Sequence, residues 1–136
     1  MRYQLTTHLN VETALAIHEM TLEKFGGASG IRDLSLLEAA VMQPQMTFDG
    51  QDLYATIEEK AARYAFGIIK NHPFIDGNKR TGAALMLTFL ALNNKPIKPK
   101  HGAISEVILG VASDELSFND LVEFIRHEMT LDNKIG

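Results

Sequence analysis

Eleven consecutive residues, His72-Pro73-Phe74-Ile75-Asp76-Gly77-Asn78-Lys79-Arg80-Thr81-Gly82, hold most of the side chains in this sequence that are placed to do chemistry together. They bring an imidazole, a carboxylate, a glycine, an amide and two cations to the point where an apolar helical pattern begins. The first turn of a helix leaves about four backbone N–H groups without an intrahelical acceptor, and with the helix dipole these form a site for an anion. Lys79 and Arg80 add positive charge there, the guanidinium in a fork that matches phosphate oxygens. Phosphate is the expected ligand. Asp76 would repel it unless a hard divalent cation lay between them, and magnesium is commonly held by one carboxylate with phosphate oxygens and waters. Asp76 is therefore the candidate metal ligand. Gly77 is where the backbone turns sharply or approaches the ligand closely. Asn78 either caps the helix or orients the ligand. His72 alone in the stretch exchanges a proton near neutral pH. That makes it the candidate general base, a role contributing about 10²–10⁴-fold in rate.

Taken singly, each residue has a plainer reading. His72 would be a surface or core-edge histidine, Asp76 a helix cap, Lys79 and Arg80 solvated side chains, and Phe74 a core anchor for the loop. Two cations in a first turn, however, face an unfavourable dipole unless an anion compensates. Their concentration with the imidazole and carboxylate favours a phosphate site.

Positioning these groups falls to helices. Val11, Leu15, His18 and Leu22 share one face of a helix predicted over Leu9 to Glu23. Phe25-Gly26-Gly27 stops it, and Ala28-Ser29-Gly30 continues as a loop. A short helix is predicted from Leu36 to Met42, with Ser35 and Glu38 at capping-box spacing and Pro44 at its end. A turn at Thr47-Phe48-Asp49-Gly50 precedes a long amphipathic helix from Asp52 to Ile69. Leu53, Ile57, Ala61, Tyr64 and Ile68 form its stripe, and Glu58, Glu59 and Arg63 its wetter side. The helix from Asn78 to Leu92 is apolar nearly all round from Ala83 onward and is expected at the centre of the bundle. Asn93 to Lys100, with Pro96 and Pro99, is a connector. Ile104, Val107, Ile108 and Val111 mark another short helix. The last begins at Ser117, with Asp120 in its first turn, Leu116 and Leu121 as a hydrophobic staple, and Phe124 and Ile125 on its core face. The tail after Met129 is expected to fray. The one candidate strand is Arg2 to Thr6 or Thr7. The expected fold is all-α, about six helices around a central buried one, in a single domain over residues 1–136.

Composition narrows the classes. The chain is 46% hydrophobic and 22% charged, the balance of a globule with its own core. Without cysteine, disulfides, thiolate nucleophiles and cysteine-based metal centres are excluded. No leader-like apolar segment or membrane-length apolar run appears, so a cytoplasmic location and no membrane association are expected. A net charge of −4 argues against nucleic acid as a direct partner. The basic run Lys95, Lys98 and Lys100 reads as a solvated loop, with an acidic partner the alternative.

The stretch HPFIDGNKRTG resembles the signature of the Fic/Doc superfamily, specifically its death-on-curing, or Doc, toxins. The similarity extends upstream to Gly30-Ile31-Arg32-Asp33, Leu36-Leu37-Glu38-Ala39-Ala40, Pro44-Gln45 and Asp52-Leu53-Tyr54. It implies that His72 deprotonates a hydroxyl of a target protein and that Asp76 helps hold the magnesium of magnesium ATP. Gly77 and Asn78 would shape the anion nest and Lys79 and Arg80 grip the phosphates, so that His72, Asp76, Lys79 and Arg80 form the catalytic set. For a Doc toxin the implied outcome is phosphorylation of a threonine of elongation factor Tu, blocking translation until an antitoxin protein intervenes. Nucleotidyl transfer of AMP is the alternative, and a silent nucleotide-binding homologue a further one. AMP-transferring Fic enzymes usually have glycine where Lys79 stands and a second arginine where Ala83 stands, which favours the kinase. Gly77 is the Fic-like choice, since Doc toxins often have alanine there. The family's inhibitory helix, Ser or Thr followed four residues on by Glu and then Gly or Asn, has no counterpart here, so inhibition in trans is expected.

Other residues carry weaker signals. His8, His18, His101 and His127 show no metal-ligand spacing, and His18 reads as a core-edge histidine. Arg32 and Asp33 are expected to serve structure, or else to orient substrate. Arg63 is a candidate for the ATP-site wall. Met20, Met42 and Met46 are expected in the core, with a partner groove as the alternative. No exposed stripe marks a dimer interface.

Overall fold

The structure is a computed structural model that describes residues 5–135, with side chains to Leu131. Six helices dominate it: α1 (Val11–Phe25), α2 (Leu34–Met42), α3 (Ile57–Asn71), α4 (Asn78–Leu92), α5 (Ala103–Ala112) and α6 (Phe118–Ile135). A 3-10 turn at Gln43–Gln45 and a small antiparallel hairpin, β1 (Thr47–Phe48) and β2 (Gln51–Asp52), lie between α2 and α3. The all-α expectation therefore holds. The strand anticipated at residues 2 to 7 lies partly outside the described residues, and Leu5 to Thr7 carry no strand.

The short connection 72–77 folds α4 back along α3, and these two helices share the most extensive interface of the fold. Glycine makes the approach close. A Cβ on Gly82 of α4 would lie 3.1 Å from the carbonyl oxygen of Ala65 in α3, and one on Gly67 would lie 3.1 Å from the Cβ of Ala40 in α2. The core runs through Ala61, Ala65 and Ile68 of α3, Leu85, Met86 and Phe89 of α4, and Leu121 and Ile125 of α6. At about 25 cal/mol per Å², burial of such side chains is the main stabilising term. α4 is central as expected, and α3 is as deeply buried.

Several boundaries differ from the sequence reading for local reasons. α1 starts at Val11 because Asn10 accepts a hydrogen bond from the Thr13 N–H at 2.8 Å. α2 starts at Leu34 because Asp33 caps it, receiving the Leu36 N–H at 3.1 Å. Ser35 is no cap, and its hydroxyl donates to Asp33 at 2.6 Å. The long helix starts at Ile57 rather than Asp52, since Thr56 and Glu59 form a reciprocal capping box. Leu53 accordingly falls outside the helix, exposed rather than on the stripe. Lys60 is buried beneath the hairpin, its ammonium held 3.0 Å from Asp52 and on the carbonyl oxygen of Tyr54. At the other end, α6 is capped by Ser117 and Asp120 as read, but continues past Met129 to Ile135. Met20, Met42 and Met46 are exposed, against the core expectation. Among the described residues no helix is long and apolar enough to cross a membrane.

Candidate functional site

His72 ends α3 with φ 50° and ψ 53°, the left-handed region. A non-glycine residue pays for that conformation, so its neighbours must hold it there. Arg32 provides part of the hold, donating from Nε to the His72 carbonyl at 2.6 Å and from its terminal nitrogen to the Asn71 carbonyl at 2.7 Å. Asn78 provides another part from the first position of α4. Its Oδ1 accepts the Phe74 N–H at 3.0 Å and its Nδ2 donates to the Phe74 carbonyl at 3.0 Å, which fixes the orientation of the amide. The same Nδ2 lies 3.1 Å from His72 Nδ1. With the amide so oriented, Nδ1 is the acceptor and the neutral ring carries its proton on Nε2.

Asp76 is the next fixed group. Its Oδ2 accepts the Ala28 N–H at 3.1 Å and its Oδ1 the Gly77 N–H at 2.9 Å. These two donors, with the charge of Arg80 nearby, hold its carboxyl below the usual carboxylate range. The Ala28 donor reaches it because Gly27 is a glycine at φ 121°, where a Cβ would lie 2.8 Å from Asp76 Oδ2. His18 supports the loop from behind. It is buried in α1, stacks on Phe74 with ring centroids 3.8 Å apart and planes at 6°, and donates from Nε2 to the Asp76 carbonyl at 2.8 Å. Backbone pairing of Ile31 with Phe74, and Ile75 N–H to Gly30 at 3.1 Å, complete the frame.

Gly77, at φ 79°, opens α4. The first hydrogen bond of the helix runs from Thr81 N–H to Gly77 at 2.9 Å, and the preceding N–H groups of the turn point ahead of it. Lys79 and Arg80 are exposed at this turn. The Arg80 guanidinium lies 4.4 Å from the centre of the Phe25 ring. A pocket of about 380 Å³ opens here, with Asp76 to Arg80 and Ala83 on one side and Ile104, Ser105, Ile108 and Leu109 of α5 on the other. One side is charged and hydrogen-bonding, the other largely apolar.

The Fic/DOC family profile matches residues 8–90, a span from ahead of α1 almost to the end of α4. The chain belongs to the Fic/Doc family. It is 40% identical over 89 residues to a protein named Toxin Doc from Mycolicibacterium smegmatis, a match covering 65% of this chain and 66% of that one, just under two thirds of its length. It is 26% identical over 121 residues to the protein named Protein kinase doc of Escherichia phage P1, covering 88% of this chain and 93% of the relative.

Against that Fic/Doc background, His72, Asp76, Gly77, Asn78, Lys79 and Arg80 all converge on the start of α4, and all but His72 line the pocket. The Asn78 side chain faces inward and is spent on the loop and on His72. Only its backbone N–H remains for a ligand. Arg63 lies away from the pocket, against the rings of Tyr54 and Phe66. The sequence reading missed His18 and the Ala28 N–H as supports. It gave Phe25 only the role of a helix stop. A polar His18 on an apolar stripe was the one available signal. Among the described residues no cluster of three His, Cys, Asp or Glu side chains is placed to hold a metal ion.

Proposed function

We propose that this protein is a toxin that transfers the terminal phosphate of magnesium ATP to a protein hydroxyl, the expected acceptor being a threonine of elongation factor Tu. A cognate antitoxin in the same cytoplasm would restrain it. The observation that carries this reading is the convergence of His72, Asp76, Lys79 and Arg80 on one helix start that also borders an apolar pocket wall. Such a site suits a ligand with a polyphosphate at one end and a flat, weakly polar base at the other. The name of the phage P1 relative, a protein kinase, supports phosphoryl transfer, and that of the mycobacterial relative supports a toxin with an antitoxin partner.

In this reading His72 takes the proton of the attacking hydroxyl. Its oxygen then bonds to the terminal phosphorus, and the bond from that phosphorus to ADP breaks, ADP leaving with the electron pair. The lone pair on His72 Nδ1 faces Asn78, so base action at Nε2 requires the ring to change tautomer and release Asn78. Asp76 would hold the magnesium ion, which when bound neutralises phosphate charge. Lys79, Arg80 and the N–H groups from Asn78 onward would bind phosphate oxygens, and positioning with neutralisation is most of the catalysis in phosphoryl transfer.

Lys79 and Ala83 favour the kinase over AMP transfer. Gly77 does not weigh strongly against it. A Cβ there would meet His18 and Leu22 at an ordinary 3.7 Å, so the glycine answers to φ 79° rather than to lack of space. The test is intact-protein mass spectrometry of elongation factor Tu after incubation with the protein, magnesium and ATP, with His72→Ala as control. A gain of about 80 Da, absent with the variant, is expected. A gain of about 329 Da would replace the kinase reading with nucleotidyl transfer. No gain from a well-folded protein would remove elongation factor Tu as the target.

A further inference from the structure

We propose that Phe25 is a positioning residue for Arg80, its ring holding the guanidinium at the mouth of the phosphate site. The inference rests on reading the start of α4 as that site. Phe25 is the last residue of α1 and is 52% exposed, so core packing does not account for it. Two cations flank its ring: Arg80 Cζ lies 4.4 Å from the ring centre and Lys24 Nζ 5.4 Å from it. Among the described residues Arg80 makes no salt bridge, and the Phe25 ring lies against it.

The geometry suits an anion site better than an acidic neighbour would. A carboxylate would occupy the N–H edge of the guanidinium, the edge that phosphate needs. An aromatic ring takes the face and leaves the edge free. A loosely held arginine also has many rotamers to give up on binding, and a ring that already favours one of them reduces that loss. The backbone makes the arrangement possible. Gly26 and Gly27, at φ 80° and 121°, turn the chain directly after Phe25. The ring therefore stays at the rim while the Ala28 N–H, three residues on, returns to Asp76. One end of α1 thus sets both the anionic and the cationic group of the site.

The test is calorimetric titration of wild type, Phe25→Leu, Phe25→Trp, Arg80→Ala and the Phe25→Leu/Arg80→Ala double variant, first with magnesium ATP and then with tripolyphosphate alone. Phe25→Leu is expected to weaken binding about two- to fivefold, the scale of an exposed cation–π contact. Phe25→Trp keeps the aromatic face and is expected to bind at least as tightly as wild type. As the only tryptophan in a chain that has none, its fluorescence should also change on binding. In the Arg80→Ala background Phe25→Leu should cost nothing further. Wild-type affinity in Phe25→Leu, an equal loss in the Arg80→Ala background, or a tryptophan no better than leucine would each overturn the proposal. Binding of tripolyphosphate but not of magnesium ATP would sink the nucleotide reading and leave the Phe25 comparison to be decided on tripolyphosphate. Binding of neither by wild type would sink both.

Discussion

Replacing Asn78 by alanine should loosen the site and the fold together, by an amount the hydrogen bonds set. Asn78 is 5% exposed, and its amide serves the Phe74 N–H, the Phe74 carbonyl and His72 Nδ1. Phe74 is itself buried, at 1% exposure, so alanine leaves its N–H and carbonyl unpaired away from water. A buried polar group that loses its partner costs about 1–3 kcal/mol, and two of them about 2–6 kcal/mol. Domain stabilities of about 5–15 kcal/mol leave the variant folded in most of that range. At this chain length 1 kcal/mol moves the melting temperature by roughly 3–5 °C, so a fall of about 6 °C or more is expected by circular dichroism. Asn78→Asp should also destabilise, since it keeps the acceptor for the Phe74 N–H but sets a carboxylate against the Phe74 carbonyl. His72 supplies a second readout: the ¹⁵N shift of Nδ1, an acceptor in the wild type, should change in Asn78→Ala. A melting temperature within about 2 °C of wild type, with an unchanged Nδ1 signal, would refute the idea that Asn78 holds the loop.

Gly82→Val should overpack the α3–α4 contact, where even a Cβ would sit 3.1 Å from the Ala65 carbonyl; a loss of about 1–3 kcal/mol in denaturant unfolding is expected, and an unchanged midpoint would refute the close approach. Burial raises the Tyr64 phenol to about 12, against the pull of the Leu9 N–H that it accepts at 2.9 Å. Its contribution to stability should be intact below about pH 10 and lost as the pH rises through the raised value; an alkaline absorbance titration should show a late tyrosine step that disappears in Tyr64→Phe. Asp76, held ionised chiefly by the Ala28 and Gly77 N–H groups, should contribute stability above about pH 4 that is lost as the pH falls through its lowered value. A carboxyl NMR titration with a midpoint at or above the ordinary range would contradict that hold.

Elements whose signals are local were legible. α4 matches residue for residue because its start coincides with the glycine and its apolar run ends at Leu92, and α6 shows its cap in Ser117 and Asp120. α2 misled because two caps compete within three residues, and Asp33 wins by taking both the Leu36 N–H and the Ser35 hydroxyl. At α3, Leu53 extends the stripe by one turn, but the Thr56 capping box fixes the start downstream of it. Nothing in the sequence reading marked Lys60, which the hairpin buries against Asp52. In the site, the grouping of the side chains from residues 72 to 80 was legible, because one short segment contains them, but the role of the Asn78 amide, which holds Phe74 and His72, was not. What sets their positions was not: the partners that His18, Ala28 and Arg32 grip are 58, 48 and 40 residues away along the chain.

That separation makes the signature less portable than its compactness suggests. Grafted into another helical hairpin, residues 72–82 would take the sequence of the site without its tethers. His72 would lose the guanidinium that holds its left-handed turn, and Asp76 the N–H that orients its carboxylate. A truncation removing residues 1–33 would keep α3, α4 and every residue of the signature, yet it would discard all the outside supports at once. A match to the signature therefore identifies an ancestry, and whether a given chain keeps a working geometry has to be read about fifty residues upstream, at the end of a helix that contributes no side chain of the signature itself.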